Sequence, residues 1–312
     1  MKHPPASFFS RRHRVNTRRL KDLLASKLMF STVILSMLIV FVMALALLQR
    51  SMLILRTQSL GELFLSSSWH PWQGEFGFYP FIVGTLWTTA LAMVFSVPPS
   101  LLMSIYLSEY APNKVRGIVK PMIDLLAGIP SVVFGLWGVL LVVPFIRDYV
   151  AVAAGVTTTG YAMITGAIVL SIMVSPIIIS VSEEVIRTVP REAREASIAL
   201  GATKWQTVKH VTMRSAFPGV VAAVILGFGR AFGETMAVLM VVGNVPQVPS
   251  SLFDPAYPLP ALIANNYGEM MSIPLYDSAL MLAALFLLLV VLLFSVAAAA
   301  LLVGVKRRYA IG

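Results

Sequence analysis

The sequence predicts an all-α, polytopic membrane protein with six transmembrane helices, and three observations carry that reading. Apolar and aromatic side chains make up 58% of the 312 residues and charged ones only 12%, against roughly 25% charged in an ordinary soluble domain. Six stretches are long and apolar enough to span a bilayer, which takes about 20 helical residues because lipid cannot satisfy an open backbone. The Lys and Arg residues alternate between loops, with 20 of the 24 on one side of the thread, and the positive-inside rule makes that side cytoplasmic.

Taken in order, residues 1–27 read as a basic cytoplasmic leader holding Arg11, Arg12, Arg14, Arg18, Arg19, Lys21 and Lys27. The first transmembrane anchor, 28–50, contains the uncharged run Leu28 to Leu48. That run exceeds the signal-peptide core of about 7 to 15 residues, so it reads as retained. Residues 51–77 form an external loop with Trp69 and Trp72. The core, 78–303, holds the other five spans and a cytoplasmic loop at 183–215. Its second span runs from Phe78 to Leu107, where Pro98 and Pro99 remove two backbone donors and predict a bend or break. Met122 to Ile146 is the third, and its Gly128, Pro130, Gly135 and Gly138 predict close helix packing and a kink. Tyr161 to Val181, Ala216 to Val245 and Ser278 to Val303 complete the set. Pro246 to Tyr276, with six prolines, reads as an external surface loop, and 304–312 as a cytoplasmic tail.

Composition also excludes chemistry. There is no cysteine, and His3, His13, His70 and His210 make no pair at ligand spacing, so neither thiol redox chemistry nor a metal centre is expected. The net charge of +10 reports topology rather than nucleic-acid binding. No Gly-Lys pair occurs, so the chain has no phosphate-cradling P-loop, and no bound cofactor is expected.

Two segments carry candidate function. Thr188 to Gly201 reads as a short helix, with Pro190 in its first turn, Glu192 and Glu195 near the positive end of its dipole, and Gly201 closing it. Ala193, Ala196 and Ala199 would let another backbone approach. The segment is either a docking helix or an ordinary helix at the membrane interface. Within the fifth span lie Arg230, Glu234 and Thr235. An Arg deep in a span costs about 2.5 to 3.5 kcal/mol on insertion scales, so it should face a bundle interior or an aqueous path. Arg230 and Glu234 stand at i and i+4, which permits an intrahelical pair, and the guanidinium fork suits a phosphate-like oxyanion. Gly229 and Gly233 predict a close helix approach beside them. The alternative is a charged staple between helices. Asp124 is expected to pair with Lys120 at the interface, and Glu109 remains ambiguous.

Glu195-Ala196-Ser197 followed by Gly201, Val211 and Met213 resembles the EAA loop of bacterial ABC importer permeases, with Ser197 at the third position and Arg214 where that family usually has Pro. Gly229 to Val238 resembles the GRALGETMAV stretch of phosphate-specific ABC permeases of the PstC type, with Phe232 for Leu. Asp124 to Gly138 is similar to that family's third-span signature, and Leu107 to Pro112 to the end of its second span. The resemblance implies a MetI-like permease fold in the bacterial inner membrane with both termini cytoplasmic. It implies a second PstA-like permease subunit, two copies of an ATPase that uses ATP and Mg, and an extracytoplasmic phosphate-binding protein. It places Glu192, Glu195, Ala196 and Gly201 in the coupling helix, and Arg230, Glu234 and Thr235 on the substrate pathway. A permease for molybdate or sulfate shares this chemistry. An ion-coupled secondary transporter would also bury charges, but the EAA-like loop and the absence of a visible inverted repeat argue against it.

Overall fold

The computed structural model describes residues 8–268 and 272–310. The start of the expected leader, three residues of the Pro-rich loop and the last two residues of the tail lie outside the described residues. Met1–Arg50 and Ser51–Gly312 form two compact units. The first is helical from Phe8 onward, as part of α1 (Phe8–Thr57), and every side chain from 22 to 43 is exposed. That apolar surface matches the expected membrane anchor. The helix persists past residue 50 to Thr57, so the segment read as the start of an external loop is helical.

The second unit contains five helices long and apolar enough to cross a membrane, and α1 supplies a sixth such stretch. After α1 come the short helix α2 (Leu60–Leu65) and a hairpin of β1 (Trp69–His70) and β2 (Glu75–Phe76). Ser59 and Glu62 close a reciprocal capping box on α2, which satisfies two orphan donors at once. Trp69, Phe76, Phe78, Phe81 and Tyr276 pack ring to ring beneath the hairpin. The expected loop 51–77 is therefore a built structure.

Helix α3 (Tyr79–Tyr110) runs unbroken through Pro98 and Pro99 and ends in a π-helical turn, Tyr106–Tyr110. The expected break is absent. The helix is held laterally by α6 (Met163–Arg187) through a stripe of small hydroxyl side chains. Thr85, Thr88, Thr89, Ser96, Ser100 and Ser104 are buried on α3, and Ser96 Oγ lies 3.0 Å from Ser175 Oγ. Small side chains let the two backbones approach, and their hydroxyls satisfy one another or a local carbonyl.

Between them, α4 (Asn113–Ala127) is amphipathic, with Ile118, Met122 and Leu125 exposed and Ile123 buried. The third span begins only at Ser131, as α5 (Ser131–Ala153). The expected span Met122 to Ile146 thus joined two elements. Pro130 disfavours helix at Ile129, and Gly128 receives the terminal turn of α4. Further along, Gly135 and Gly138 are packing positions. A Cβ on Gly135 would stand 2.6 Å from Met240 Sδ, and one on Gly138 2.7 Å from Val169 Cγ2.

After α6 come α7 (Arg191–Ala199), α8 (Lys204–Phe232), α9 (Met236–Leu239), α10 (Leu259–Asn266) and α11 (Pro274–Ala310). The Pro-rich stretch read as a surface loop carries α10, whose Leu259, Pro260, Ala261 and Leu262 are buried. Pro258 and Pro260 stand at its N-terminus, where a missing N–H costs nothing. Leu259 N donates to Thr85 Oγ1 at 2.8 Å, which ties α10 to α3. The main core lies among α3, α5, α6 and α9, around Leu170, Met173, Val174, Val238 and Val241.

Candidate functional site

The fifth span does not continue to Val245. It stops at Phe232, passes through Gly233 and Glu234, and restarts at Met236. Gly233 receives the last turn of α8. Glu234 Oε1 accepts from the amide of Ala237 at 3.3 Å, and Thr235 Oγ1 donates to the carbonyl of Gly233 at 3.3 Å. Gly followed by Glu-Thr is a helix stop followed by a helix start, the signal that an unbroken reading of the span overlooks.

The break separates Arg230 from Glu234. Arg230 occupies the last turn of α8, where its charge complements the negative end of the helix dipole. It is exposed, and among the described residues it has no ion-pair partner. The expected i, i+4 pair is replaced by two separate arrangements. Arg230 points out of this chain, while Glu234 caps α9 and lines a cavity of about 10 Å³ with Thr85, Thr88, Thr89 and Phe232. Thr88 is 2% exposed and its Oγ1 has no partner among the described residues. It lies nine residues into α3 from Tyr79, about 14 Å at the helical rise, so the polar cluster is deep in the span.

Gly229 and Gly233 are both exposed. No other helix of this chain meets a Cβ at Gly229, and one at Gly233 would meet only the carbonyl of Gly229 at 3.7 Å. The helix packing expected there is not made within the chain. Gly128 likewise contacts only its own turn, and Pro130 acts as the N-cap residue of α5. These two positions end one helix and begin another rather than packing helices together.

The segment expected to dock a partner is a helix, α7, begun by Pro190 and closed by Gly201 at φ +87°. Its two faces differ. Ala193, Arg194 and Ser197 are half-buried against the body, whereas Glu192, Glu195, Ala196 and Ala199 are exposed. Leu200 is 89% exposed. On the inner face Arg194 Nη2 stands 2.9 Å from Glu109 Oε1 and donates to the carbonyl of Ile186 at 2.8 Å. Ser197 Oγ and Thr207 Oγ1 are 3.0 Å apart. Beyond Gly201, a Thr203/Gln206 capping box opens α8.

Three residues that sequence reasoning left aside hold this end of the bundle together. Glu183 is 2% exposed and is met by Arg116 at 2.8 Å, Lys120 at 3.0 Å and Arg187 at 3.6 Å. Lys120 therefore serves Glu183 on α6, and Asp124 instead accepts from Ser180 Oγ at 3.2 Å. Glu109 is the partner of Arg194. At the opposite end, a cleft of about 690 Å³ lies between Thr157–Thr159 and the Gly243 to Pro255 loop. Asp254 there accepts from the hydroxyl and amide of Ser250 and from the amide of Ser251. These bonds, the hydroxyl first, hold its carboxyl below the usual range.

Comparison with known proteins fits this architecture. Residues 100–309 match the family described as binding-protein-dependent transport system inner membrane component. A probable ABC transporter permease protein, YqgH of Bacillus subtilis, is 39% identical over 71% of this chain and 72% of its own length. The phosphate transport system permease protein PstC of Xylella fastidiosa is 37% identical over 70% and 71%. Among solved structures, the inward-facing MetNI methionine ABC transporter aligns at a TM-score of 0.54 with 21% identity, covering 71% of this chain and 93% of that one. A bacterial ABC transporter involved in alginate import aligns at 0.55 with 15% identity, over 72% and 78%. The six apolar helices, the helix presented between the fourth and fifth of them, and these matches converge: the chain is a multi-pass membrane protein that belongs to the family of inner-membrane components of binding-protein-dependent transport systems.

Proposed function

We propose that this chain is the permease subunit, of PstC type, of an ATP-driven importer of inorganic phosphate, and that it forms half of the translocation pathway. The observation that carries the reading is Arg230, a fixed cation at the broken end of α8 with its guanidinium turned out of the chain. A charge at that depth is not left to lipid. A second, PstA-like permease subunit facing Gly229, Arg230 and Gly233 would enclose it, with the two glycines as the close-approach surface. The guanidinium then contacts the phosphate oxyanion. Glu234 and Thr235 line the pathway one turn on, with the carboxylate accepting from protonated phosphate and favouring release. The relatives named for phosphate transport support that substrate.

The chain itself binds no cofactor in this reading. ATP and Mg are used by two copies of a partner ATPase that dock on the exposed face of α7, through Glu192, Glu195 and Ala196, with Gly201 fixing the end of the helix. Both termini and this docking face lie in the cytoplasm of a bacterium, on the basic side of the thread. An extracytoplasmic phosphate-binding protein delivers cargo at the other side. Closure of the ATPase pair moves the docked helices and alternates access to the pathway. The test is ATP-dependent uptake of radiolabelled phosphate by vesicles containing the full assembly. Arg230→Gln at equal membrane level should abolish uptake with the assembly intact, while excess molybdate or sulfate should not compete. Undiminished uptake would return Arg230 to a structural role, and competition would move the substrate to another oxyanion.

A further inference from the structure

The end of α3 is gripped from both sides of the loop that carries α7. Arg194, on the inner face of α7, pairs with Glu109 at 2.9 Å, and Glu109 is largely buried, with 9% of its side chain exposed. The same guanidinium donates to the carbonyl of Ile186 in the last turn of α6. Beyond α7, Lys204 at the start of α8 sits over the ring of Tyr110, 4.5 Å from its centre. Glu109 and Tyr110 are adjacent in the π-helical turn that closes α3, and π turns concentrate at functional positions because they re-aim neighbouring side chains. An ionic contact that is mostly desolvated and a cation held over an aromatic ring are both directional attachments.

The other end of α3 reaches the break in the fifth span. Thr85, Thr88 and Thr89 line the small cavity that contains Glu234. From Thr89 to Glu109 the helix is unbroken and spans about 30 Å at 1.5 Å per residue. The Ser96 to Ser175 contact binds it to α6 along the way, and Arg194 bonds to both helices. We propose that Glu109 and Arg194 are the positioning pair that transmits movement of α7 along α3 to the Glu234 cavity, with Lys204 on Tyr110 as a second hold. The inference rests on the reading of α7 as the docking helix for an ATPase.

The test uses the assembled complex carrying Thr89→Cys as a reporter. The chain has no cysteine of its own, so labelling of this chain by a small thiol reagent reads that position alone. With Glu109 intact, reactivity should change about tenfold on adding ATP, the scale of an ordinary coupling free energy. Glu109→Gln should retain the ATPase in pull-down and lose the change. Exchanging the charges, Glu109→Arg with Arg194→Glu, should recover much of it, which a merely structural role would not. An unaltered ATP response in Glu109→Gln overturns the proposal, as does the lack of any response with Glu109 present. Loss of the ATPase from Glu109→Gln overturns it too, by making the pair a docking determinant. None of these readouts requires phosphate, so failure of phosphate uptake by the intact assembly would count against the substrate reading alone. A complex that binds no ATPase would remove the docking reading and this inference together.

Discussion

Glu183 is a buried carboxylate facing three cations whose side chains are 23%, 36% and 47% exposed. The asymmetry sets an order of sensitivity. Losing one cation leaves two others in place and costs about 1 kcal/mol or less, whereas Glu183→Ala strands three like charges around one site and costs about 3 kcal/mol. Thermal unfolding of the purified complex in detergent should rank Lys120→Ala well above Glu183→Ala. Asp254 gives a second test at this scale. Its folded pKa is depressed below the ordinary 3.8, chiefly by the Ser250 hydroxyl, so its contribution to the loop is fully present above that value and is lost as pH falls through the folded one. Amide exchange at Ser250 and Ser251, corrected for intrinsic rate, should accelerate only below pH 3.8, and Asp254→Asn should show the faster exchange at neutral pH. None of these partners was legible in the sequence. Lys120 has Asp124 four residues away and Glu183 63 residues away, and only the folded arrangement of α4 against α6 decides for the distant one.

At the scale of elements, helix ends carry most of what the sequence concealed. Apolar length identified the spans, but Gly233-Glu234-Thr235 and Gly128-Ile129-Pro130 are stop-and-start signals embedded in apolar runs, so hydropathy reads through them. The α7 segment was legible because its stops are conventional: Pro190 at one end and Gly201 at the other. Gly201 adopts a φ of +87° in open space, so Gly201→Ala should cost about 1 kcal/mol through backbone strain alone. Affinity of the permease for its ATPase should fall severalfold in a pull-down titration, and unchanged affinity would show that the end of α7 plays no part in docking. Replacing Glu195 with Trp on the exposed face should dissociate or uncouple the ATPase while leaving all spans inserted. In contrast, Ala193→Trp, on the half-buried face, should disturb the seat of α7 on the body itself and lower thermal stability.

For the whole molecule, six crossings place the loop bearing α7 and the 243–255 loop on opposite sides of the membrane. Single cysteines at Ala196 and Ser250 test this on a chain that has none. A membrane-impermeant reagent applied outside intact cells should label Ser250→Cys and spare Ala196→Cys, and inverted vesicles should reverse the pattern. The opposite result would invert the thread. This level was the most readable from the sequence, since it depends only on apolar length and the positions of Lys and Arg. The arrangement of the second unit was less so. The hydroxyl stripe between α3 and α6 consists of Ser and Thr scattered in apolar runs, and no period in one helix shows which neighbour it meets.

Four π-helical turns interrupt the spans, at Tyr106–Tyr110, Gly138–Val142, Ile146–Val150 and Val208–Thr212. Each holds one residue more than the α-helix needs to make the same turn, so the chain carries slack at defined places. Removing one residue from Tyr106–Ser108 should let α3 close as a plain α-helix and rotate everything beyond it by about 100°, one residue's share of a turn. Helix content would survive such a deletion, yet Glu109 and Tyr110 would face away from Arg194 and Lys204. Length variation within this bundle is therefore a matter of angular phase: a one-residue change that hydropathy would not register can disengage one end of a span from its neighbours while leaving it a span.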